Sequence, residues 1–312
     1  MGTLRIVIAG GAGFIGSHLS EFFLDRGHSV VCLDNFSTSS LTNIAHLSQT
    51  PGFTFLETDV VQPQEIPGRI DWVLNLASPA SPVHYQRLPL ETLRAGSIGT
   101  WNLLELARAK EAKFLLTSTS EVYGDPTVHP QDETYWGYVN PIGPRSVYDE
   151  SKRFAEALTM AYHRSYAVDV RLARLFNTYG PRMQMEDGRV IPNFVLQALR
   201  GQPLTVYGDG SQTRSFCYLS DMLEGLYSLM MSNESRPVNL GNPHEVTIRE
   251  LAGRIISITG GRSQIVSQPL PEDDPKQRCP DISRAIKVLG WQPRISLEEG
   301  LNKAVPWFAS QI

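Results

Sequence analysis

The chain has 312 residues, of which 41% are hydrophobic and 19% charged, and its 28 Lys+Arg against 32 Asp+Glu give a formal net charge of −4. This length predicts one large or two moderate domains with a substantial core, and the composition excludes an intrinsically disordered chain. A mildly acidic surface without a basic arm argues against nucleic-acid binding.

The three cysteines, Cys32, Cys217 and Cys279, lie far apart and form no CxxC or Cys/His pair. We therefore expect neither a disulfide framework nor a metal site, and a reducing, cytoplasmic location. His129, His163 and His244 also lack metal-ligand spacing. No apolar segment reaches membrane-spanning length and the start of the chain lacks signal-peptide features, so we expect a soluble protein.

Short apolar runs alternate with segments of helical period from residue 4 to residue 175. This alternation is typical of βαβ crossovers and predicts an α/β fold with a doubly wound parallel sheet. The amphipathic segments include Leu90–Lys110 and Val147–Tyr166. The predicted strands are Leu4–Ala9, Ser29–Leu33, Phe53–Glu57, Trp72–Leu76, Lys113–Thr117 and Val168–Leu175.

The character of the chain changes after Phe176, where Gly- and Pro-containing loops separate shorter elements. We therefore predict a nucleotide-binding domain over residues 1–176 and a smaller C-terminal α/β substrate lobe over residues 177–312. Segments such as 236–242 are expected to return to the first domain, because Val238–Leu240 is apolar enough for the main sheet.

A glycine-rich turn, with Gly10, Gly13 and Gly16, follows the first predicted strand and opens the first helix. The first glycine permits a tight turn, the second lets the backbone approach a pyrophosphate, and the third lets the helix pack on the strand. Asp34 ends the second strand, 18 residues after Gly16, where an acidic residue contacts an adenosine ribose. The spacing predicts a dinucleotide site.

The kind of dinucleotide follows from charge. No Arg or Lys lies between Asp34 and His46 to bind a 2′-phosphate, so NAD is favoured over NADP. Polar and small residues at the ends of later strands would line its path, although ordinary turn chemistry explains them equally: Asp59, Val60, Leu76, Ala77 and Ser78.

Tyr148 and Lys152 lie four residues apart in a predicted helix and therefore on one face. A phenol is a poor base at neutral pH, and a nearby ammonium favours its phenolate. The pair is thus a candidate acid/base for interconverting a hydroxyl and a carbonyl. YxxxK alone is common by chance, but its occurrence together with the glycine turn is not.

With these two motifs the chain resembles the extended short-chain dehydrogenase/reductase superfamily. The resemblance covers essentially the whole chain. Within it, Ser120-Glu121 after the fifth strand resembles the UDP-glucuronate decarboxylases, whereas sugar 4,6-dehydratases carry Asp-Glu there. Longer segments point the same way: Asn75–Pro82, Ser118–Pro130, Asn140–Lys152, Phe176–Met183 and Pro203–Arg214. Two features depart from that family. Ser37–Ser40 replaces a basic segment, and the membrane anchor of animal members is missing.

The resemblance implies a Rossmann domain with tightly bound NAD, and decarboxylation of UDP-glucuronate to UDP-xylose through a 4-keto intermediate. It places the chemistry on Tyr148, Lys152, Glu121, Thr119, Ser120 and Arg278, although Thr119 and Ser120 also suit a strand-to-loop cap. It implies that Arg278 binds the substrate carboxylate, with a diphosphate contact as the alternative. It adds to the NAD site Phe14, Ile15, Asn35, Phe36, Thr38, Thr117 and Thr178.

For the UDP-sugar, the resemblance implies contacts from Asn177, Arg189, Tyr207, Gln212 and Arg214, with two arginines for the diphosphate. Arg94 is a further candidate, although a solvated face or a dimer contact explains it equally. His18 is expected to serve packing. Excess apolar residues on the Leu90–Lys110 and Val147–Tyr166 helices predict partner contact, which the superfamily implies is a homodimer.

Three other functions remain open. A UDP-glucuronate 4-epimerase oxidises the same carbon but has to suppress loss of CO2. A decarboxylase can release its UDP-4-keto-pentose before reduction. Some superfamily members are NAD-holding structural or regulatory proteins, although such a protein has no need to retain Tyr148, Lys152 and Glu121 together.

Overall fold

The computed structural model describes residues 2–186, 188–270 and 277–312. The strands are β1 (Arg5–Ala9), β2 (Ser29–Asp34), β3 (Phe53–Glu57), β4 (Trp72–Asn75), β5 (Lys113–Thr119), β6 (Val170–Leu175), β7 (Thr178–Tyr179), β8 (Leu204–Tyr207), β9 (Thr213–Ser215), β10 (Cys217–Tyr218), β11 (Pro237–Leu240), β12 (Glu245–Thr247), β13 (Ile265–Gln268) and β14 (Gln277–Arg278). The helices are α1 (Phe14–Leu24), α2 (Pro82–Arg87), α3 (Pro89–Arg94), α4 (Thr100–Ala109), α5 (Ser146–Tyr166), α6 (Val190–Leu199), α7 (Leu219–Met231), α8 (Ile248–Ile258), α9 (Ser283–Leu289) and α10 (Leu297–Ala309).

A parallel sheet forms the centre of the molecule. In the described ranges it has seven strands in the order β11-β6-β5-β4-β1-β2-β3, which confirms the predicted doubly wound architecture. Ile8 of β1 pairs with Cys32 on one side and Leu74 on the other. The strand order reverses between β1 and β4, and such a reversal opens a crevice at the carboxyl ends of the strands.

Five of the six predicted strands differ from the observed ones by one or two residues at an end. β1 starts at Arg5 rather than Leu4, β2 continues to Asp34, and β4 ends at Asn75 rather than Leu76. β5 continues to Thr119, and β6 starts at Val170 rather than Val168. Pro237–Leu240 hydrogen-bonds to β6 in parallel and lies at the edge of the main sheet. The smaller sheets belong to the C-terminal segment, where β9 pairs with both β12 and β14. The division at residue 176 stays a prediction.

Helices cover both faces of the central sheet. One apolar cluster joins β1 and β4 to α1 and α7, and a second joins the opposite face to α4 and α5. A third cluster, of α6, α8 and α10, is the core of the C-terminal lobe. None of the described helices is long and apolar enough to cross a membrane.

The segment predicted as one helix over Leu90–Lys110 is instead α3, a π-helical segment (Ala95–Gly99) and α4. Gly96 explains why α5 approaches this segment so closely. A Cβ atom on Gly96 would lie 2.6 Å from the Cβ of Ser151, so any larger residue would push the helices apart. The segment behind Tyr148 and Lys152 therefore depends on a small residue.

A polar contact joins the first helix to the C-terminal lobe. His18 of α1 donates from Nε2 to the carbonyl of Pro181 at 3.0 Å. Burial, and secondly the charge of Arg182, lower the pKa of His18 to about 4. The predicted packing role of His18 is consistent with this position, since the ring is neutral at pH 7.

Stability should therefore fall in mild acid. The unfolded chain protonates His18 near pH 6.5 whereas the folded chain resists protonation down to about pH 4, so His18 favours unfolding as pH falls through this window. We expect His18→Gln to reduce the loss of unfolding free energy between pH 7 and pH 5 by about 2 kcal/mol. Urea unfolding at the two pH values measures this, and an equal loss in the variant would contradict it.

Candidate active site

A cleft of about 700 Å³ lies between the carboxyl ends of the central strands and the C-terminal lobe. Its size suits a small-molecule ligand. It brings together most of the residues singled out in the sequence. They are Gly10, Gly13, Phe14, Ile15, Gly16, Thr38, Leu76, Ser78, Thr117, Thr119, Ser120, Glu121, Tyr148, Lys152, Asn177, Thr178, Arg189, Tyr207, Gln212, Arg214 and Arg278.

The glycine-rich turn forms one end of the cleft. A Cβ atom on Gly16 would lie 2.1 Å from the carbonyl oxygen of Gly10, so only glycine lets α1 begin this close to β1. The start of α1 therefore faces the cleft with its backbone amides and the positive end of the helix dipole. This cradle fits the pyrophosphate of NAD, and Gly10, Gly13 and Gly16 would hold it.

Asp34 stabilises the same turn from behind. Its carboxylate accepts hydrogen bonds from the backbone amide of Ala12 at 2.9 Å, the amide of Phe36 at 3.0 Å and the hydroxyl of Ser39 at 2.7 Å. A carboxylate has about four acceptor positions, so one remains for a ribose hydroxyl. Asp34 thus holds the turn together, but it is buried and is not among the residues that line the cleft, so its contact with a ribose stays a prediction.

Several other predicted residues do not line the cleft. Asn35 is exposed and donates to the carboxylate of Asp59 at 3.1 Å, and Asp59 accepts from the amide of Val61. Phe36, Val60 and Ala77 are partly or fully buried and are not among the lining residues. Arg94 lies at the end of α3 with an exposed side chain, and the structure does not bring it to the cleft.

Tyr148 and Lys152 lie on the face of α5 that borders the cleft. The ammonium of Lys152 donates to the carbonyl of Thr117 at 2.9 Å and lies 5.9 Å from the centre of the Tyr148 ring. Burial lowers the pKa of Lys152 to about 8. Burial also raises the pKa of Tyr148, against a hydrogen bond with Thr119 that lowers it. Tyr148 is therefore a phenol in the free protein.

Glu121 lies beside this pair, in a 3₁₀ turn (Ser120–Tyr123) that follows β5. One carboxylate oxygen accepts from Nη2 of Arg145 and the other from Nη1 of Arg278, both at 2.5 Å. Burial alone would raise the pKa of Glu121, but the charges and hydrogen bonds of the two arginines lower it to about 2. Glu121 is therefore ionised throughout the neutral range.

Arg278 reaches this cluster from the C-terminal lobe. Its strand, β14, pairs with β9, and its side chain is only 3% exposed. Nη2 donates to the carbonyl of Gly124 at 2.9 Å, and Nε is buried without a hydrogen-bond partner. The guanidinium thus lies at the Glu121 end of the cleft. The residues just before it, Asp274–Lys276, lie outside the described part of the chain.

The opposite wall of the cleft belongs to the C-terminal lobe. Arg189 immediately precedes α6, and Arg214 lies on β9. Gln212 donates to the carbonyl of Tyr207 at 2.9 Å, which orients its amide. Two guanidinium groups, a helix start and an amide suit a nucleoside diphosphate.

Among the cleft residues that sequence reasoning missed, Tyr85, Arg145, Arg182 and Gln184 make specific contacts. Tyr85 stacks on Tyr148, with ring centroids 5.3 Å apart and planes 5° from parallel. Arg145 lies within the quoted segment Asn140–Lys152, but nothing in its spacing indicated a contact with Glu121. Arg182 donates to Glu21 of α1 at 2.7 Å, and Gln184 donates to the carbonyl of Thr38 at 2.7 Å. The last two contacts bridge the lobes over the nucleotide end.

Comparisons with known proteins show the family of the chain. Residues 7–304 match the family model described as GDP-mannose 4,6 dehydratase. The chain is 54% identical to UDP-glucuronic acid decarboxylase 1 of Danio rerio, covering 99% of this chain and 73% of the relative. It is 53% identical to UDP-glucuronic acid decarboxylase 1 of Arabidopsis thaliana, covering 99% and 71%. A solved UDP-glucuronic acid 4-epimerase of Bacillus cereus, in complex with UDP-glucuronic acid and NAD, superposes with a TM-score of 0.88 at 27% identity, covering 99% of this chain and 100% of that one.

The glycine cradle gives a direct test of the cofactor site. Gly16→Ala places a methyl group against backbone atoms of Gly10 and Gly11 that cannot move independently, so we expect the variant to lose bound NAD. Gly253→Ala in α8 is the matched control, because its Cβ meets nothing within 4 Å. NAD content after purification and calorimetric titration measure the difference. Full NAD retention in the Gly16 variant would contradict the cradle.

Proposed function

The chain belongs to the GDP-mannose 4,6 dehydratase family and, within it, to the UDP-glucuronic acid decarboxylases, and on this basis we propose that it converts UDP-glucuronate to UDP-xylose and CO2 with NAD as cofactor. One observation carries the proposal beyond family membership. An ionised Glu121, bound by Arg145 and Arg278, lies beside the Tyr148–Lys152 pair at one end of a cleft that suits a nucleotide sugar.

The reaction needs an electron sink next to the carboxylate. Oxidising the 4-hydroxyl of the sugar creates a β-keto acid, which loses CO2 through an enolate. Bound NAD would be held by Gly10, Gly13 and Gly16 and would supply the hydride acceptor and later donor for carbon 4. Tyr148, in its phenolate form, takes the proton of the 4-hydroxyl and gives it back at the end. The charge of Lys152 favours the phenolate of Tyr148 during this transfer.

Glu121 reduces the positive charge that the substrate carboxylate meets. Because Glu121 forms ion pairs with Arg145 and Arg278, it partly neutralises Arg278, so the guanidinium stabilises the substrate carboxylate less and loss of CO2 costs less free energy. Loss of CO2 moves that negative charge to the 4-oxygen, near Tyr148. Arg278 orients the substrate carboxylate through its remaining donors, while Thr119 and Ser120 bind the 4-oxygen region.

The UDP group occupies the C-terminal side of the cleft. Arg189 and Arg214 bind the diphosphate, and Asn177, Tyr207 and Gln212 contact the uridine. Asp34, with Gly10, Gly13 and Gly16, binds NAD on the opposite side. Arg94 has no part in this arrangement, since its exposed side chain lies away from the cleft.

The activity is tested by mixing the purified protein with UDP-glucuronate and catalytic NAD, following the sugars by proton NMR while trapping CO2. We expect UDP-xylose and CO2 in equal amounts. Tyr148→Phe should reduce turnover at least about 10³-fold, because the phenol moves the 4-hydroxyl proton. Tyr227→Phe, on α7, is the matched control and should keep wild-type turnover.

The alternatives give different products in the same tube. UDP-galacturonate without CO2 would identify a 4-epimerase, and an accumulating UDP-4-keto-pentose would identify a decarboxylase that releases its intermediate. No turnover with NAD bound would favour a structural or regulatory protein. Each of these results would overturn the proposal.

We also propose a homodimer. Large apolar side chains on α4 and α5 are exposed: Trp101 is 51% and Phe154 is 48% exposed. Other apolar residues of these helices, such as Leu103, Leu104 and Tyr162, are buried in the protein's own core, so the exposed stripe is narrower than the sequence suggested. A matching stripe on a second copy would bury it.

Charge on this stripe should separate the subunits. We expect Trp101→Glu combined with Phe154→Glu to give a monomer, because dimerisation would then bury four unpaired carboxylates. Ile286→Glu, on an exposed part of α9, is the control. Sedimentation velocity measures the mass, and an unchanged dimer in the double variant, or a monomeric wild type, would contradict the proposal.

A further inference from the structure

A buried carboxyl group beside the catalytic pair has no role in the reaction described so far. Asp149 follows Tyr148 directly in the first turn of α5, and its residue is 5% exposed. Its Oδ1 atom is buried without a hydrogen-bond partner. Burying a carboxyl oxygen without a hydrogen-bond partner costs folding free energy, so the position of Asp149 needs a physical explanation.

The position of Asp149 follows from helical spacing. Lys152 and Arg153 lie three and four residues further along α5 and therefore on the same face. Lys152 donates to the carbonyl of Thr117, and Arg153 donates to that of Val122. This face thus packs on the end of β5 and on the turn that carries Glu121. Asp149 shares this face of α5 by its spacing.

The surroundings of Asp149 keep it protonated, whereas Glu121 is ionised. Burial, and secondly the negative charge of Glu121, raise the pKa of Asp149 to about 8, against Arg145 and Arg278, which lower it. The pKa values of these two carboxyl groups therefore differ widely, so that at pH 7 Glu121 is ionised and Asp149 is protonated. The titratable and charged groups that face Asp149 or adjoin it are Tyr85 of α2, Glu121, Arg145, Tyr148, Glu150, Lys152 and Arg153 around α5, and Arg278 of β14.

The proposed reaction consumes a proton that the other residues do not supply. Breaking the bond between carbon 5 and the carboxylate releases CO2 and leaves the electron pair in an enolate, and carbon 5 then has to gain one proton. Tyr148 keeps its proton for the 4-oxygen. Glu121 is ionised and has none to give. One further proton per turnover therefore has to come from another acid in the site.

We propose that Asp149 holds this proton and delivers it to carbon 5 through a water molecule, an inference that rests on the proposed decarboxylation. The O–H bond of the Asp149 carboxyl breaks, the water passes a proton on, and a C–H bond forms at carbon 5. Asp149 is left as a carboxylate and regains its proton from solvent. Asp149 itself does not touch the sugar, so its role is to position and store the proton.

Three unsatisfied polar atoms support a water site here. Oη of Tyr85, Oδ1 of Asp149 and Nε of Arg278 are all buried without partners, and the first two groups interact electrostatically with the same Glu121–Arg145 pair. Buried polar atoms of this kind are normally satisfied by ordered water. Such a water would join the acid to the cleft, which Tyr85 and Arg278 both line.

Infrared spectroscopy on the unliganded protein tests the stored proton without any turnover. We expect a carboxylic-acid C=O band at pH 7 that disappears above about pH 8 as Asp149 ionises. Asp149→Asn should remove the band and Asp149→Glu should shift it. Glu150→Gln, on the partly exposed side of the same turn, should keep the band but lower the pH at which it disappears, because the charge of Glu150 raises the pKa of Asp149. A wild-type spectrum without an acid band that depends on Asp149 would overturn the proposal.

Isotope effects test the delivery step. We expect Asp149→Asn to lower kcat about 10²-fold with unchanged NAD content, and to raise the solvent deuterium isotope effect on kcat. The effect of deuterium at carbon 4 should shrink, because protonation becomes rate-limiting. Asp149→Glu should recover part of the rate. A merely structural loss would leave both isotope effects unchanged, and that result would overturn the delivery role.

The outcomes separate this inference from the proposed function. Unchanged kcat in Asp149→Asn, with a wild-type protein that releases CO2, would refute the role of Asp149 alone. A wild-type protein that releases no CO2 would refute the proposed function, and with it the delivery step, while the infrared band would still report the protonation state of Asp149. A pH profile of kcat would not distinguish Asp149 from Lys152, because burial lowers the pKa of Lys152 to about 8 as well.

Discussion

The charge of one buried carboxylate organises the catalytic end of this protein. Glu121 has lost most of its water, and such a charge persists only if its partners replace that solvation. Arg145, just before α5, and Arg278, on β14, both do so at 2.5 Å. Because β14 pairs with β9 of the C-terminal lobe, the same ion pairs also connect that lobe to the end of β5. Removing either arginine would leave a buried charge partly unpaired, and we expect the turn after β5 to rearrange.

The parts of the site that the sequence predicts are motifs that each lie within a single βα unit. Gly10, Gly13 and Gly16 form a turn whose purpose is visible in their spacing, and Tyr148 and Lys152 share a face because a helix repeats every 3.6 residues. The alternation of strands and helices predicts the sheet for the same reason. These predictions depend on local sequence alone and not on contacts between distant parts of the chain.

The rest of the site depends on tertiary contacts that spacing does not encode. Arg145 contacts a residue 24 positions away, and Arg278 reaches Glu121 only because two short strands pair in the C-terminal lobe. Arg94 is a different case. It is exposed and is not among the residues that line the cleft, and the segment that reads as one helix is interrupted by a π-helical turn directly after it, which a uniform period does not predict. The burial of the Asp149 carboxyl group cannot be predicted from the sequence, because an aspartate in the first turn of a helix usually faces solvent.

The path of the chain through the central sheet limits how the protein can be divided. β11 comes after α6 and α7 in sequence, yet it forms the edge of the sheet next to β6, where Val238 pairs with Ala173. A fragment ending near residue 176 would leave β6 as an open edge with unpaired amide and carbonyl groups, and would uncover the apolar face that α7 covers. Open edges of that kind recruit other strands and aggregate. The central sheet therefore cannot be completed until the chain has been synthesised as far as Leu240, more than 60 residues after the end of β6.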